Sequence, residues 1–391
     1  MVTVDEALNI VDNKTISSKK STYLPVQDAL GYVLSQDVLS PINMPPFRQS
    51  AMDGYAICIH ESEKYNLMGE IKAGDRKQMT LSIGEAVRIF TGAPVPDTAN
   101  AVIMQEKVIN NGVEIQLETA PNIGSNIRPL GEQIKQGEVA LKEGSLINSA
   151  AIGFLSSLGV TSVNVYKKPS IGILVTGNEL IEPGKPLDYG QVYESNSLML
   201  QNALHKTGYN NTETYKVPDD FRSTLLLINQ IINDKDFLII SGGISVGDYD
   251  YVGKALLEIK ATQLFYKVKQ KPGKPLFFGK KDNTYIFALP GNPAAALTCF
   301  YVYVWRCLER LSGNDDFKPA TIEAVSVSEI NTKGDRFQFL KAKFLNGKVE
   351  ILEGQSSAML NTFAVANALA YAPVNLEKIE IGQKVKCLLI P

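Results

Sequence analysis

Histidine and cysteine are scarce in this chain, and their scarcity excludes several kinds of site. The 391 residues include two histidines, His60 and His205, too few for a histidine-rich zinc site or an evident Ser-His-Asp triad. The four cysteines are widely spaced and form no Cys-x-x-Cys pair, so we expect reduced core residues rather than a disulfide framework. Any chemistry must therefore rest on carboxylates, lysines, arginines and backbone amides.

The chain also lacks a strong charge bias and a long apolar run. Its formal net charge of −2 argues against a general nucleic-acid binder. The longest apolar stretch, residues 294–305, is too short to span a bilayer, and residues 1–10 lack the positive start of a signal peptide. We therefore expect a cytoplasmic protein. A length of 391 residues is enough for more than one domain.

Three short apolar runs, at 171–175, 237–240 and 285–289, each lead directly into a glycine-rich loop. Such runs are typical of strands buried on both faces of a parallel sheet. Ligands of open α/β sheets bind at the carboxyl ends of the strands, where glycines allow close backbone approach and helix N-termini favour anions. The three ends together predict a sizeable pocket for an anionic ligand.

The alternation of strand, loop and helix predicts an α/β multidomain protein with a central doubly wound, mostly parallel sheet. We assign this α/β domain to residues 166–313. Residues 41–129 are rich in proline and alternate in polarity, which indicates an inserted β-rich domain. Residues 1–40 and 130–165 are expected to form a helical and extended linker domain, and 314–391 a small β-barrel. Helices are expected at 149–158, 196–206, 221–232 and 251–259, with Ser195-Asn196 as the cap of the second.

The loop MPPFRQSAMDGYA (44–56) carries more polar side chains than a turn needs. Asp53-Gly54 alone is a turn signal, and a hairpin corner explains it as well as a site does. Three polar residues, at 48–50, crowd the same loop. A carboxylate held there could orient or activate a nucleophile. Both interpretations stay open on the residues alone.

The segment SGGISVGDYDY (241–251) follows the second apolar run. Successive glycines and serines can direct backbone N–H groups at an anion. The residues concerned are Gly242, Gly243, Ser245 and Gly247. Asp248 is best explained by the dipole of the next helix, whereas Asp250 could hold a divalent cation that bridges phosphate oxygens.

Two lysines, Lys271 and Lys274, lie on the stiff turn KPGKP just before the third apolar run. A solvated turn explains them, but lysines fixed near an anion pocket also suit oxyanion neutralisation. Glu179 follows the first run and faces the same rim, and Gly291-Asn292 makes a tight turn that exposes the amides of the next helix. In the tail, Arg336 and Ser357 lie in polar turns whose default interpretation is exposed surface.

Eight strings in this order resemble the molybdopterin molybdenumtransferase family, known as MoeA and related to the gephyrin E domain and its plant counterpart. The resemblance covers nearly the whole chain. Its strings are MPPFRQSAMDGYA (44–56), RIFTGAPVP (88–96), NIRPLGEQI (126–134), VTGNEL (175–180), SGGISVGDYDY (241–251), KPGKP (271–275), LPGNP (289–293) and GQSS (354–357). One string alone is weak, whereas eight in register are highly specific.

The resemblance implies a homodimer that inserts molybdate into adenylylated molybdopterin and releases AMP and molybdenum cofactor, with Mg²⁺ as companion ion. It also implies a composite site, in which the domain with the MDG loop of one subunit faces the α/β cleft of the other. The implied catalytic residues are Asp53, Glu179, Asp250, Lys271 and Lys274, with Asp250, beside Glu179 or Asp236, on the metal. The implied substrate-binding residues are Thr91, Asp236, Gly242, Gly243, Ser245, Gly247, Gly291, Asn292, Arg336 and Ser357.

Two positions depart from the family's usual residues. Gln133 stands where the family commonly has Asp, so any charge role of that acid is lost, and Asn178 stands where Asp is common. Two alternatives to the transferase are a molybdopterin adenylyltransferase, which the α/β segment alone resembles, and a non-catalytic scaffold like gephyrin. Tungstate could replace molybdate, because the two oxyanions share charge and nearly share size.

Overall fold

The computed structural model describes residues 1–17, 19–76, 78–244 and 250–391, which form two compact units. Unit 1 comprises Met1–Thr22, Gly31–Val33 and Tyr166–Pro391, and unit 2 comprises Tyr23–Leu30 and Leu34–Val165. The finer division into four domains stays a prediction. Among the described residues, the longest α-helix has 14 residues, and none is both long and apolar enough to cross a membrane.

Unit 2 is built mainly of short strands. The α-helices and strands of the first 166 residues, of which α1 belongs to unit 1, are, in chain order, α1 (Val4–Lys14), β1 (Ser21–Pro25), β2 (Val38–Leu39), β3 (Gln49–Ser50), β4 (Gly54–Ile57), β5 (Lys64–Ile71), β6 (Glu85–Ile89), β7 (Ala101–Met104), β8 (Val108–Asn110), β9 (Glu114–Leu117), β10 (Ile127–Arg128), β11 (Val139–Leu141), α2 (Ser149–Ser157) and β12 (Ser162–Tyr166). Six of these strands form one sheet in the order β7-β4-β6-β5-β9-β8. Its two faces pack on separate apolar clusters, one around Val87 and Ile89 and the other around Tyr65 and Ile115.

Unit 1 contains the predicted α/β sheet. Its elements up to residue 313 are β13 (Ile171–Thr176), β14 (Leu180–Ile181), β15 (Val192–Tyr193), α3 (Asn196–Lys206), β16 (Thr212–Val217), α4 (Phe221–Asp234), β17 (Phe237–Ser241), α5 (Tyr251–Glu258), β18 (Thr262–Tyr266), β19 (Gln270–Lys271), β20 (Phe277–Lys281), β21 (Thr284–Leu289), α6 (Pro293–Cys299), a π-helical turn (Phe300–Val304) and α7 (Trp305–Leu311). The sheet order is β16-β13-β17-β21-β20-β18. The first four strands are parallel to one another, β20 pairs antiparallel with β21, and β18 pairs antiparallel with β20, so that β20 alone runs against the other five strands.

The three central strands are buried along their whole length, as the continuous apolar runs predict. In β17, Phe237 and Ile239 join one apolar cluster while Leu238 and Ile240 join another on the opposite face. The sheet is therefore covered on both sides, and its open edge for a ligand lies at the strand ends.

The helices begin where the sequence predicts, but one cap differs. Asn148 accepts a hydrogen bond from the Ala151 N–H at 2.9 Å and so caps α2. Ser195 makes no side-chain cap bond to α3. Glu194 takes that role instead and accepts from the Ser197 N–H at 2.9 Å, because a carboxylate near a helix start satisfies a free N–H and suits the dipole.

The C-terminal part of unit 1 is a closed barrel of five strands, as predicted. Its elements are β22 (Thr321–Ser326), β23 (Ile330–Asn331), β24 (Phe337–Leu345), β25 (Lys348–Ile351), α8 (Leu360–Val365), β26 (Ala368–Ala372), β27 (Lys378–Ile379) and β28 (Lys384–Leu389). The pairing order β24-β25-β22-β28-β26 closes through a further β24–β26 pairing. β19, from the α/β segment, pairs in parallel with β24 and so joins the barrel sheet.

Candidate active site

A cleft of about 700 Å³ lies at the carboxyl ends of β13, β17 and β21 in unit 1. This is the edge of the sheet where the three glycine-rich loops begin. The residues of the predicted site that line it are Glu179, Gly242, Gly243, Gly291 and Asn292. The predicted residues Ser245 and Gly247 lie outside the described residues.

Gly242 and Gly243 are required by the backbone itself. Their φ angles are +93° and +63°, in the region that side chains rarely adopt. A Cβ on Gly242 would lie 2.9 Å from the Thr176 carbonyl oxygen, and one on Gly243 would lie 2.6 Å from Val252. The chain can therefore bring β17 this close to β13 and α5 only with glycines here.

Gly291 differs from these two glycines because the protein does not need it sterically. Its φ is not positive, and a Cβ there would meet the Gly242 Cα at an ordinary 3.7 Å. Yet Gly291 lines the cleft. The missing side chain leaves the backbone open to close approach from the cleft side.

Asn196 ties two of the three strand ends together, and sequence reasoning assigned it only to a helix start. Its side-chain N–H₂ donates to the Ser241 hydroxyl and to the Gly291 carbonyl, both at 2.8 Å. Asn196 also lines the cleft. Its position at the start of α3, next to the glycine loops, is the sequence feature that could have indicated this role.

The cleft wall is acidic, which sequence reasoning did not predict. Glu179, Glu194 and Asp219 line it, and no lysine or arginine does so among the described residues. Asp219 is held by an exchange of backbone and side-chain hydrogen bonds with Asn178, at 3.1 and 3.3 Å. Binding of an anion here must therefore depend on backbone amides, on cations at the rim, or on a metal ion.

The KPGKP turn supplies cations beside this wall. Pro275, the last residue of the turn, lines the cleft. Lys271 and Lys274 are exposed, and neither ammonium pairs with a carboxylate in the described part of the chain. Unpaired lysines next to an acidic wall leave their charge available to a ligand.

Gln270 holds the KPGKP turn in place through side-chain hydrogen bonds, a role that its sequence position did not reveal. Its side chain is fully buried. Its N–H₂ donates to the carbonyls of Pro272 and Gly273 at 3.1 and 3.2 Å, and its oxygen accepts from the Tyr303 hydroxyl at 2.5 Å. Gln270 thus links the KPGKP turn to Tyr303 in the buried π-helical turn.

Arg336 and the lysine turn come together through strand pairing. β19 runs parallel to β24, with Gln270 opposite Phe337 and Lys271 opposite Gln338. Arg336 directly precedes β24, its side chain is 39% exposed, and it lies 3.9 Å from the carboxylate of Asp335. The structure therefore brings Arg336 to the same end of the sheet as Lys271.

Ser357 joins the barrel to the cleft. Its hydroxyl accepts from the Asn292 side chain at 2.7 Å, and its carbonyl accepts from the Ala295 N–H at 3.2 Å. The expectation that the Gly291-Asn292 turn exposes the amides of the next helix is therefore wrong in part. Pro293 has no N–H, and the Ala295 N–H is already bonded.

Lys341 holds the loop that carries Ser357, and only the structure reveals this. Lys341 is 3% exposed, and its ammonium donates to the carbonyls of Gly354, Ser356 and Met359 at 2.6, 3.0 and 3.0 Å. Burial lowers the pKa of this lysine. No carboxylate pairs with it among the described residues, so three carbonyls are its polar partners in the loop.

Asp250 and Asp236 occupy different places. Asp250 caps α5 by accepting from the Gly253 N–H at 2.7 Å, and burial raises its pKa. It lines a cavity of about 280 Å³ that shares Ile244 with the cleft. Asp236 precedes β17, at the end of the strand away from the cleft, and accepts from Ser170 at 2.8 and 3.0 Å. The structure does not bring Asp236 to the cleft.

Asp53 and Thr91 form a pair in unit 2. Both the N–H and the hydroxyl of Thr91 donate to one oxygen of Asp53 at 2.7 Å. These bonds, the hydroxyl first, lower the pKa of Asp53, so its carboxylate stays ionised to lower pH than an ordinary aspartate. Gln133, in the same unit, is exposed, and its backbone N–H donates to the Met44 carbonyl.

Three family models together match most of the chain. They describe the MoeA N-terminal region (domains I and II) at residues 2–159, a probable molybdopterin binding domain at 172–310, and the MoeA C-terminal region (domain IV) at 323–390. Over 395 residues, the chain is 32% identical to a molybdopterin molybdenumtransferase of Haemophilus influenzae, covering 98% of each. The chain belongs to the molybdopterin molybdenumtransferase family.

Other family members agree in length and fold. A molybdopterin molybdenumtransferase of Staphylococcus epidermidis is 30% identical over 401 residues, which is 99% of this chain and 95% of the relative. The crystal structure of a molybdopterin biosynthesis MoeA protein of Pyrococcus horikoshii is 28% identical, covers 100% of both chains and superposes with a TM-score of 0.84. The likeness extends over the N-terminal region, the α/β sheet and the barrel alike.

Proposed function

We propose that this protein inserts molybdate into adenylylated molybdopterin, forming molybdenum cofactor and releasing AMP. The observation that carries the proposal is the convergence, at one cleft, of the glycine strand ends, the lysine turn and the Ser357 loop. Full-length similarity to relatives named molybdopterin molybdenumtransferase supports the same reaction. The adenylyltransferase and scaffold alternatives have no comparable observation in their favour.

Each part of the cleft has a role in this proposal. The backbone at Gly242, Gly243 and Gly291 approaches the phosphate groups of the substrate, because no side chain stands in the way. Lys271 and Lys274 neutralise oxyanion charge as phosphate or molybdate binds. Preorganised donors and cations of this kind stabilise charge that develops during reaction. No covalent nucleophile is needed.

The acidic wall supports a role for Mg²⁺. A phosphate anion facing Glu179, Glu194 and Asp219 would be repelled unless a cation lay between them. The described acids form no cluster of three that could cage a metal ion. Magnesium usually binds through one or two carboxylates plus substrate phosphates and water, so a cage is not required. Asp250, with Glu179 on the cleft side, is the proposed protein contribution, and the bound ion would supply charge neutralisation.

The direct test is molybdate-dependent AMP release. Protein is incubated with adenylylated molybdopterin and Mg²⁺, with and without molybdate, and AMP is separated chromatographically. We expect AMP only when molybdate is present, and a tungstate arm measures how far the two oxyanions compete. AMP release that is indifferent to molybdate would contradict the proposal. Formation of adenylylated molybdopterin from ATP would favour the adenylyltransferase instead.

Gly291→Ala tests whether the open backbone at this position serves the ligand. The added methyl group fits the protein, so we expect the free energy of unfolding to change by no more than about 0.5 kcal/mol. We expect KM for adenylylated molybdopterin to rise about tenfold, which corresponds to ~1.4 kcal/mol of lost binding. Gly153→Ala, in α2 with nothing within 4 Å of the new Cβ, is the control. An unchanged KM for Gly291→Ala would remove Gly291 from the site.

A further inference from the structure

A second pocket lies in unit 1 at the opposite end of the sheet from the cleft. It has a volume of about 330 Å³, at the lower end of the roughly 300–1,000 Å³ typical of ligand pockets. Its wall includes residues 167–169 before β13, Asp236 before β17 and Asn283 before β21. These are the amino ends of the strands, so the pocket is separate from the cleft.

This pocket is strongly basic. Four lysines line it, together with one acid: Lys20, Lys167, Lys168, Lys280 and Asp236. The Lys20 ammonium lies 3.2 Å from Asp236, which therefore offsets one of the four charges. Lys167 and Lys280 pair with no carboxylate within 4.0 Å in the described part of the chain. The pocket wall therefore carries a net positive charge, whereas the cleft wall is acidic.

Lys168 is the most enclosed of the four lysines. Its ammonium donates to the Gly208 carbonyl at 2.9 Å and lies 4.6 and 5.2 Å from the ring centres of Tyr32 and Tyr209. Burial lowers its pKa. A carbonyl and two aromatic faces orient this ammonium, and the Glu309 carboxylate acts on it only from beyond 4.0 Å, so its positive charge is only partly offset.

The pocket wall is also rigid. The Tyr285 hydroxyl donates to the Lys14 carbonyl and accepts from the Ile16 N–H, both at 2.9 Å. Its ring carries the Lys280 ammonium 4.7 Å from the ring centre. Asp236 is held by the N–H and hydroxyl of Ser170. The lysines therefore surround a preformed space, which lowers the cost of binding a ligand there.

We propose that this lysine pocket binds a phosphate group, either as free inorganic diphosphate or as a phosphomonoester such as that of AMP. Lysine ammonium groups recognise such groups as point charges and suit a compact multivalent anion better than a neutral ligand. The site is independent of the proposed transferase reaction, since none of its residues lines the cleft. It also gives Asp236 a role away from the cleft, as the acid that orients Lys20.

The test is calorimetric titration of the full chain with sodium pyrophosphate and, in a separate arm, with AMP, at low ionic strength. We compare wild type with the double variant Lys167→Gln/Lys280→Gln and with Lys343→Gln, an exposed lysine of β24 that lines neither the pocket nor the cleft. The double variant should bind about tenfold more weakly, as expected for lost charge-assisted contacts, while Lys343→Gln keeps wild-type affinity. If the double variant weakens AMP binding, the ligand class is a phosphomonoester. If it weakens pyrophosphate binding but not AMP binding, the ligand is free inorganic diphosphate.

Two results would overturn the proposal: no saturable binding to wild type, or the same affinity in wild type and the double variant. The second result would place the bound anion outside this pocket. The double variant should unfold at the wild-type temperature in anion-free buffer, because Lys167 is exposed and Lys280 half-buried. If it does not, the single variant Lys167→Gln, at the exposed lysine, is titrated under the same criteria.

Discussion

Replacing Lys341 with methionine should lower the free energy of unfolding by about 3 kcal/mol and slow AMP release about tenfold. The ammonium donates to three carbonyls of the loop 354–359, and methionine leaves all three without that donor. The loop also carries Ser357, whose hydroxyl meets Asn292 at the cleft. A looser loop should therefore cost both stability and rate.

Lys343→Met is the matched control for this experiment. Lys343 lies two residues further along β24 and is exposed, so its replacement should change the free energy of unfolding by no more than about 0.5 kcal/mol. Stability is measured by urea denaturation and rate by AMP release under saturating substrate. A stability loss with an unchanged rate would show that the ammonium supports the barrel but does not position Ser357.

Mixed dimers of Asp53→Asn and Lys274→Gln subunits should recover activity that neither variant has alone. We expect each single variant to release AMP about a hundredfold more slowly than wild type or worse, because each removes a charge placed for the reaction. The premise is the homodimer with composite sites that the family resemblance implies: in it, a dimer of one variant with the other carries one site free of both substitutions. Such dimers should reach about half the wild-type rate, since one of two sites is intact.

Mixed dimers are isolated by giving the two variants different affinity tags and purifying over both. Asp97→Asn changes an exposed acid of the same unit as Asp53 and is the matched control for Asp53→Asn. On its own, this variant should release AMP at the wild-type rate. Dimers as inactive as the single variants would place the whole site within one subunit. Failure to recover any doubly tagged protein would contradict the homodimer itself.

The sequence predicts the α/β sheet because each central strand is a continuous apolar run. β13, β17 and β21 are apolar at nearly every position and lead into glycine-containing loops, which leaves few alternatives to strands buried on both faces. The barrel was likewise indicated by short alternating strands. The sequence predicts Ser195-Asn196 as the cap of α3, whereas the structure uses Glu194, because several neighbouring polar residues suit a helix start.

The supports of the site could not be predicted in the same way. Lys341 and Gln270 are polar residues in strands, where a polar residue suggests an exposed face, yet each is buried by segments distant in sequence. The acidic wall has the same origin, since Glu194 and Asp219 come from connections outside the glycine loops. Residue patterns identify groups that contact a ligand more readily than groups that hold them, because the latter depend on nonlocal packing.

The pairing of β19 with β24 limits how the cleft can open. β19 belongs by sequence to the α/β segment, but it is hydrogen-bonded into the barrel sheet, and its neighbour Pro275 lines the cleft. A hinge at the chain boundary near residue 313 would have to break these backbone hydrogen bonds before the barrel could swing away. Substrate entry and product release should therefore proceed by movement of loops around a fixed frame, with the lysine turn remaining on the barrel side throughout the catalytic cycle.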